Sequence, residues 1–179
     1  MVDPDLALVE ATGRGDPEAF EMLVKRYQGP LLNFVARFGD RSIAEDIIQE
    51  VFLRVYRAAP RFQARAKVST WIFQIAYNQA LTEIGRRKRQ RSLKEILFQN
   101  REENTERSVS EQAEHHELGE KLLSALSRLP DNQRAALLFR INEGLPYREI
   151  GAILGVSVKS VESLLFRARM SLKQYLHQK

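Results

Sequence analysis

Gly151, Gly155 and Val161 follow one another at intervals of four and six residues inside Tyr147-Arg-Glu-Ile-Gly-Ala-Ile-Leu-Gly-Val-Ser-Val-Lys-Ser-Val-Glu-Ser-Leu-Leu-Phe166, and few backbones use all three at once. Two short helices that cross closely need a residue without bulk at the crossing, which Gly151 supplies. The tight turn between them needs a residue that tolerates positive φ, which Gly155 supplies. A bulky aliphatic on the second helix must then plug the first, and Val161 stands there. Ile150, Leu154, Val156, Val158 and Leu165 are expected to complete the core, with Ser157 as N-cap of the second helix. The stretch is expected to form a helix-turn-helix.

Burying that core leaves Lys159, Ser160, Ser163 and Arg167 on the outer face of the second helix. Polar and basic side chains in this position reach base edges and phosphates when the helix enters a major groove. Arg148 and Lys173 flank the same surface as expected phosphate contacts. The competing reading is a helical hairpin whose glycines only permit close packing; it explains the core and leaves the basic face a coincidence. A formal charge of +5 and a pI near 9.6 fit a polyanionic partner.

The rest of the chain also reads as helix, with Gly and Pro concentrated at junctions and no sustained alternation of β-branched residues. Asp16-Pro17-Glu18 opens one helix, carrying Phe20, Leu23, Val24 and Tyr27, with a break or kink expected at Gly29-Pro30 and an end at Gly39-Asp40. Ser42-Ile-Ala-Glu45 reads as a capping box and Ala59-Pro60 as the stop of the helix it opens. Ser69 or Thr70 is expected to cap a third long helix that runs into Arg86-Arg-Lys-Arg-Gln-Arg91. The segment Arg101–Ser110 is polar, mildly acidic and poor in apolar residues. A second apolar pattern then starts at Leu118, runs through Leu122, Leu123, Leu126 and Leu129, and stops at Pro130. The expected fold is all-α: two small helical domains, 1–91 and 118–179, joined by a flexible polar linker, 92–117. A tether of roughly 25 residues permits the two to pack together or to stand apart.

Several classes of function drop out. The chain has no cysteine, so thiolate chemistry, thiolate metal sites and disulfides are absent. Three histidines remain, and the adjacent His115 and His116 point about 100° apart on a helix, a poor chelating pair. No nucleophile–base set, Gly-rich phosphate loop or metal cluster is evident, so no enzyme activity, metal or cofactor is expected. No run reaches the roughly 18 residues that would cross a bilayer, and Met1–Leu6 carries acids where a secretory signal carries bases. A cytoplasmic protein without membrane insertion is expected.

Within Glu45–Tyr56, Ile43, Ile47, Ile48, Val51 and Val55 form an inward stripe, and Asp46, Gln49, Glu50, Leu53, Arg54 and Arg57 share the opposite face. One reading of that face is solvated, with a Glu50–Arg54 pair. Leu53, apolar among polar neighbours, favours a partner contact instead.

Ala44–Tyr56 resembles the core-polymerase-binding helix of bacterial RNA polymerase sigma factors. Val68-Ser-Thr-Trp-Ile-Phe-Gln-Ile-Ala-Tyr-Asn-Gln-Ala-Leu81 and the basic run resemble the adjoining promoter-melting segment, with Glu83 where the family would carry Asp. Leu129-Pro-Asp-Asn-Gln-Arg134 and the helix-turn-helix resemble the second conserved domain. The short length and direct linker resemble the extracytoplasmic-function (ECF) group, with a sigma-2-like bundle and a sigma-4-like helix-turn-helix domain. The resemblance implies that Asp46, Gln49, Glu50 and Leu53 dock on core RNA polymerase. It implies that the loop Phe62–Val68 captures a flipped base of the −10 element, with Phe62, Arg65 and Lys67 as candidates. Extrusion of a base costs a few kcal/mol, which stacking must offset. Trp71, Asn78, Arg86 and Arg87 fall where the family meets the −10 region, although Trp71, Phe73 and Tyr77, taken one by one, read as core ahead of base-stacking residues. The helix from Val158 would read the −35 element of promoter DNA, and an anti-sigma factor is an implied partner. Two alternatives stay open: a sigma-like decoy that sequesters an anti-sigma factor, and a helix-turn-helix repressor. The basic face at Lys159 and Arg167 argues against the decoy.

Overall fold

A computed structural model describes residues 3–39, 41–97 and 113–177. Among these there are eight α-helices and no strand. Helix α1 covers Leu6–Gly13, α2 Pro17–Phe38, α3 Ala44–Ala58 and α4 Val68–Leu97. Helix α5 covers Ala113–Ser127, α6 Asp131–Ile141, α7 Tyr147–Leu154 and α8 Val158–His177.

Asp16 caps α2 as its sequence requires, its Oδ1 accepting from the backbone N–H of Glu18 at 2.9 Å and of Ala19 at 3.2 Å. The helix then runs through Gly29-Pro30 to Phe38, so the expected break there does not occur. An interior proline costs about 3 kcal/mol. Tyr27, Leu31, Phe34, Val35 and Phe38 are all buried around it, and each such side chain contributes about 1.5–3 kcal/mol on burial. Packing outweighs the lost hydrogen bond.

Two other helix starts differ from expectation. A short 3₁₀ turn, Arg41–Ile43, precedes α3, so the α-helix proper starts at Ala44 with Ile43, rather than Ser42, at its N-cap position. Helix α4 begins one residue ahead of Ser69, and its cap comes from far away in sequence. The Val68 N–H donates to Asp3 Oδ2 at 2.6 Å, while Asp3 Oδ1 accepts from Asp5 N–H at 3.0 Å. Asp5, itself buried, accepts from the Tyr27 hydroxyl at 2.5 Å and pairs with Arg26. The N-terminal strap therefore ties α1, α2 and the start of α4 together.

Helix α4 continues without interruption past Gly85 and Arg91 to Leu97, and α5 begins at Ala113, so helix enters both ends of the 92–117 span expected to be linker. Arg101–Ser110, the polar heart of that span, lies outside the described residues, as does Asp40.

The two halves share one hydrophobic core. Phe139 of α6 is fully buried, stacked on Phe34 of α2 with ring centroids 4.3 Å apart, and Phe73 of α4 meets it edge-on at 5.6 Å. Helices α6 and α7 pack on α2 and α4. No described helix is long and apolar enough to cross a membrane.

Candidate functional site

The helix-turn-helix is built as its spacing requires. Gly155 closes α7 at φ 68 and ψ 33, the left-handed region. A Cβ on Gly151 would lie 2.8 Å from the Val156 carbonyl oxygen and 3.6 Å from Val161 Cγ2, so only glycine fits the crossing. Ile150, Val161 and Leu165 are buried, and Ser157 Oγ caps α8 by accepting from Ser160 N–H at 3.2 Å. Val158, expected in the core, is 45% exposed because it occupies the first turn of α8 on the solvent side. Lys159, Ser163 and Arg167 face solvent together, with Arg148 exposed on α7. Ser160 is half-buried, and its hydroxyl lies 2.9 Å from that of Ser157, which leaves it part of the cap as well as of the face.

On α3 the inward stripe Ile43, Ile47, Ile48, Val51 and Val55 is buried throughout. Opposite it, Asp46, Gln49 and Leu53 are exposed, and Leu53 keeps 48% of its surface. The four candidate docking residues do different things. Gln49 and Leu53 rim an apolar groove of about 490 Å³ between α2 and α3, floored by Phe20, Val24, Ile48 and Phe52. Glu50 accepts from Arg54 Nε at 2.8 Å, one turn on. Asp46 turns to the other side, where it lines a small polar cavity with Gln79, Glu83, Arg86 and Arg87.

Behind α3 the chain turns through a second 3₁₀ segment, Ala59–Arg61, into the loop before α4. Phe62 and Trp71 meet there at 4.7 Å between centroids, tilted by 50°. With Arg54, Arg57, Ala58, Arg61 and Gln63 they line a basic cavity of about 390 Å³. An aromatic wall under guanidinium groups suits a nucleobase with its phosphate. Arg65 is exposed and does not line this cavity, and Lys67 is drawn off to Glu149 of α7 at 2.5 Å. That bond, together with the nearby charges of Glu149 and Asp3, raises the Lys67 ammonium above its ordinary pKa. Phe73 and Tyr77 are core residues; Trp71 is half-buried.

Two family models match the chain: Sigma-70 region 2 over residues 23–90, and Sigma-70, region 4, over residues 119–172. The ECF RNA polymerase sigma-E factor of Escherichia coli (strain K12) is 35% identical over 172 aligned residues, covering 92% of this chain and 90% of that one. The chain belongs to the ECF sigma factors. The RNA polymerase sigma-H factor of Pseudomonas aeruginosa is 31% identical, covering 97% of this chain and 94% of that one. In fold, this sigma factor is similar to CnrH in its complex with the cytosolic domain of CnrY, with a TM-score of 0.73, 24% identity and 96% of both chains covered. It is also similar to the sigma factor RpoE of Bartonella quintana in complex with the anti-sigma factor NepR, with a TM-score of 0.70, 22% identity and 89% of this chain covered.

In this sigma factor Arg86 and Arg87 are organised by Glu83. Arg86 donates to both Glu83 carboxylate oxygens, at 2.6 and 2.8 Å, and Arg87 Nε lies 3.5 Å from one of them. The Arg86 hydrogen bond leads in holding Glu83 below the usual carboxylate range, with Arg87 adding to it, and the same bond raises Arg86. Asn78 is exposed on the same helix. From sequence, Arg54 is expected only to pair with Glu50 and Arg57 only to share the polar face of α3, and no pattern singles out Arg61. The available signal was the 54-57-61 spacing, which sets the three guanidinium groups along one edge leading to Phe62.

Proposed function

We propose that this ECF sigma factor binds core RNA polymerase through α3, melts and reads the −10 element around the Phe62–Trp71 cavity, and reads the −35 element with α8. The observation that carries this reading is the Phe62–Trp71 pair beneath Arg54, Arg57 and Arg61, directly behind the exposed Leu53 face. A base flipped from the non-template strand would stack on the two rings while the guanidinium groups hold its phosphates. Asp46, Gln49, Glu50 and Leu53 would meet the polymerase; the apolar groove beside Gln49 and Leu53 would receive a side chain from it. Arg65, Lys67, Asn78, Arg86 and Arg87 would follow the −10 backbone. Arg148, Lys159, Ser160, Ser163 and Arg167 would enter the −35 major groove and its rims.

The protein would act by recognition, in the cytoplasm, with no covalent step of its own and no metal or cofactor. The 1–91 and 118–179 units would serve as the two promoter-binding domains. An anti-sigma factor would compete for the same faces; two similar folds come from complexes with such partners or with a cytosolic partner domain. The decoy and repressor readings leave the Arg-lined aromatic cavity without a use.

Binding to purified sigma-free core polymerase tests the reading directly. Co-elution expected for the wild type should be lost in the Asp46→Arg, Glu50→Arg double variant and kept in Arg167→Ala. Wild type that fails to bind core contradicts it.

A further inference from the structure

Helix α1 and the residues ahead of it grip the segment 59–68 at both of its ends. At one end Asp3 Oδ2 accepts from the Val68 N–H at 2.6 Å, where α4 starts. At the other, α1 packs on the Ala59–Arg61 turn. A Cβ on Gly13 would lie 3.1 Å from the Ala59 carbonyl oxygen and 3.2 Å from Pro60 Cα. The two backbones therefore touch, and a bulky side chain at 13 must push the turn outward.

Between these grips the backbone bonds of the loop are turns between near neighbours. Phe62 N–H donates to the Ala59 carbonyl at 3.1 Å, and Arg65 N–H to the Gln63 carbonyl at 2.6 Å. The strap itself is fixed more firmly. Val9 of α1 is fully buried in the core. The buried Asp5 carboxylate accepts from the Tyr27 hydroxyl at 2.5 Å and pairs with Arg26, both on α2. A buried carboxylate is costly unless it is paired and hydrogen-bonded, so these bonds hold the strap in one place. Asp3 Oδ1 accepts from the Asp5 N–H at 3.0 Å, which ties the residue that caps α4 to the same anchor.

We propose that Asp3 and Gly13 are positioning residues for −10 recognition: the N-terminal strap sets the 59–68 segment so that Arg61 and Phe62 face Trp71 across the basic cavity before DNA arrives. The inference rests on the proposed reading of that cavity as the base site. Arg61 and Phe62 follow directly on the Ala59–Pro60 contact. Trp71 stands in the first turn of α4, its N–H donating to the Lys67 carbonyl at 3.0 Å, so the cap at Val68 places its ring. A loop ordered in advance loses less freedom when a base binds. Affinity at the −10 element would thus depend on residues outside the cavity, which support those that line it.

The chain has a single tryptophan, Trp71, so its intrinsic emission reports on the cavity alone. Asp3→Ala and Gly13→Leu are each expected to shift that emission to the red in the free chain, as the ring loses the cover of Phe62. In the holoenzyme, permanganate reactivity of the −10 thymines should fall several-fold with Asp3→Ala, within the roughly 2- to 30-fold that loss of a helix cap supports. Core binding and −35 protection should match wild type, and Asp3→Asn, which keeps a capping oxygen, should recover most of the opening. The deciding measurement is a double-mutant cycle with Phe62→Ala. If the strap acts through the loop, Asp3→Ala lowers opening little further once Phe62 is gone. An equal loss in both backgrounds, unchanged opening in Asp3→Ala, or an unchanged Trp71 spectrum overturns the proposal. Circular dichroism confirms folding, and the Asp3 pair carries the test if Gly13→Leu does not fold. Wild type that opens no promoter with core polymerase instead sinks the proposed function, which separates the two failures.

Discussion

The carbonyl oxygen of Val156 lies 2.8 Å from the point where a Cβ on Gly151 would sit. Real Cβ atoms do not approach backbone oxygen so closely, so any side chain at 151 forces α7 away from the turn that leads into α8. Gly151→Val is expected to destabilise the helix-turn-helix by about 1–3 kcal/mol, the usual cost of overpacking a tight core. Urea unfolding followed by circular dichroism would measure it, and promoter binding at the −35 element should fall with it.

Asp3 caps α4 from 65 residues away in sequence. Asp3→Ala removes the acceptor for Val68 N–H, and loss of a cap costs about 0.5–2 kcal/mol. Because the loop that carries Phe62 ends at Val68, the same change is expected to raise hydrogen exchange at residues 68–71 more than in α8. Equal protection in wild type and variant would show that the strap does not position the loop.

Phe62 and Trp71 form the aromatic wall of the basic cavity. Removing a base-stacking ring costs about 1–3 kcal/mol, or roughly 5- to 150-fold in affinity. Phe62→Ala and Trp71→Ala are each expected to weaken −10 opening in the assembled holoenzyme by an amount in that range. Permanganate footprinting of unpaired thymines reads the effect, while protection of the −35 element should stay unchanged.

Glu83 is held below the ordinary carboxylate pKa chiefly by its hydrogen bond to Arg86, with Arg87 assisting. A depressed folded-state pKa means that its stabilising contribution is present above the ordinary value of 4.5 and is lost as pH falls through the lowered one. Glu83→Gln is therefore expected to be less stable than wild type near neutral pH and to converge with it in acid. Thermal midpoints taken from pH 7 down to 3 check the convergence.

Much of the architecture is legible in the residues themselves. Gly151, Gly155 and Val161 each answer one steric demand of a helix-turn-helix, and the stripe Ile43–Val55 points inward at helical spacing, so both come from local pattern. The features that were not legible depend on contacts between distant parts of the chain. Ser69 and Thr70 look like caps until Asp3 arrives from the N-terminus; Pro30 looks like a break until the buried rings around it are counted. Nothing in the local pattern marks Phe139, and only the fold brings it against Phe34. Lys67 reads as a DNA contact, and nothing near it in sequence marks Glu149 as its partner. The cavity beneath Arg54, Arg57 and Arg61 likewise joins two helices and a loop, so its residue types were visible while their convergence was not.

The central claim is tested most directly by transcription in vitro with sigma-free core polymerase on a pool of promoter fragments. The expected result is start sites that appear only with this protein, depend on paired upstream elements, and vanish when Asp46 and Glu50 are both changed to Arg. Transcripts identical with and without the protein, or a double variant as active as wild type, would contradict it.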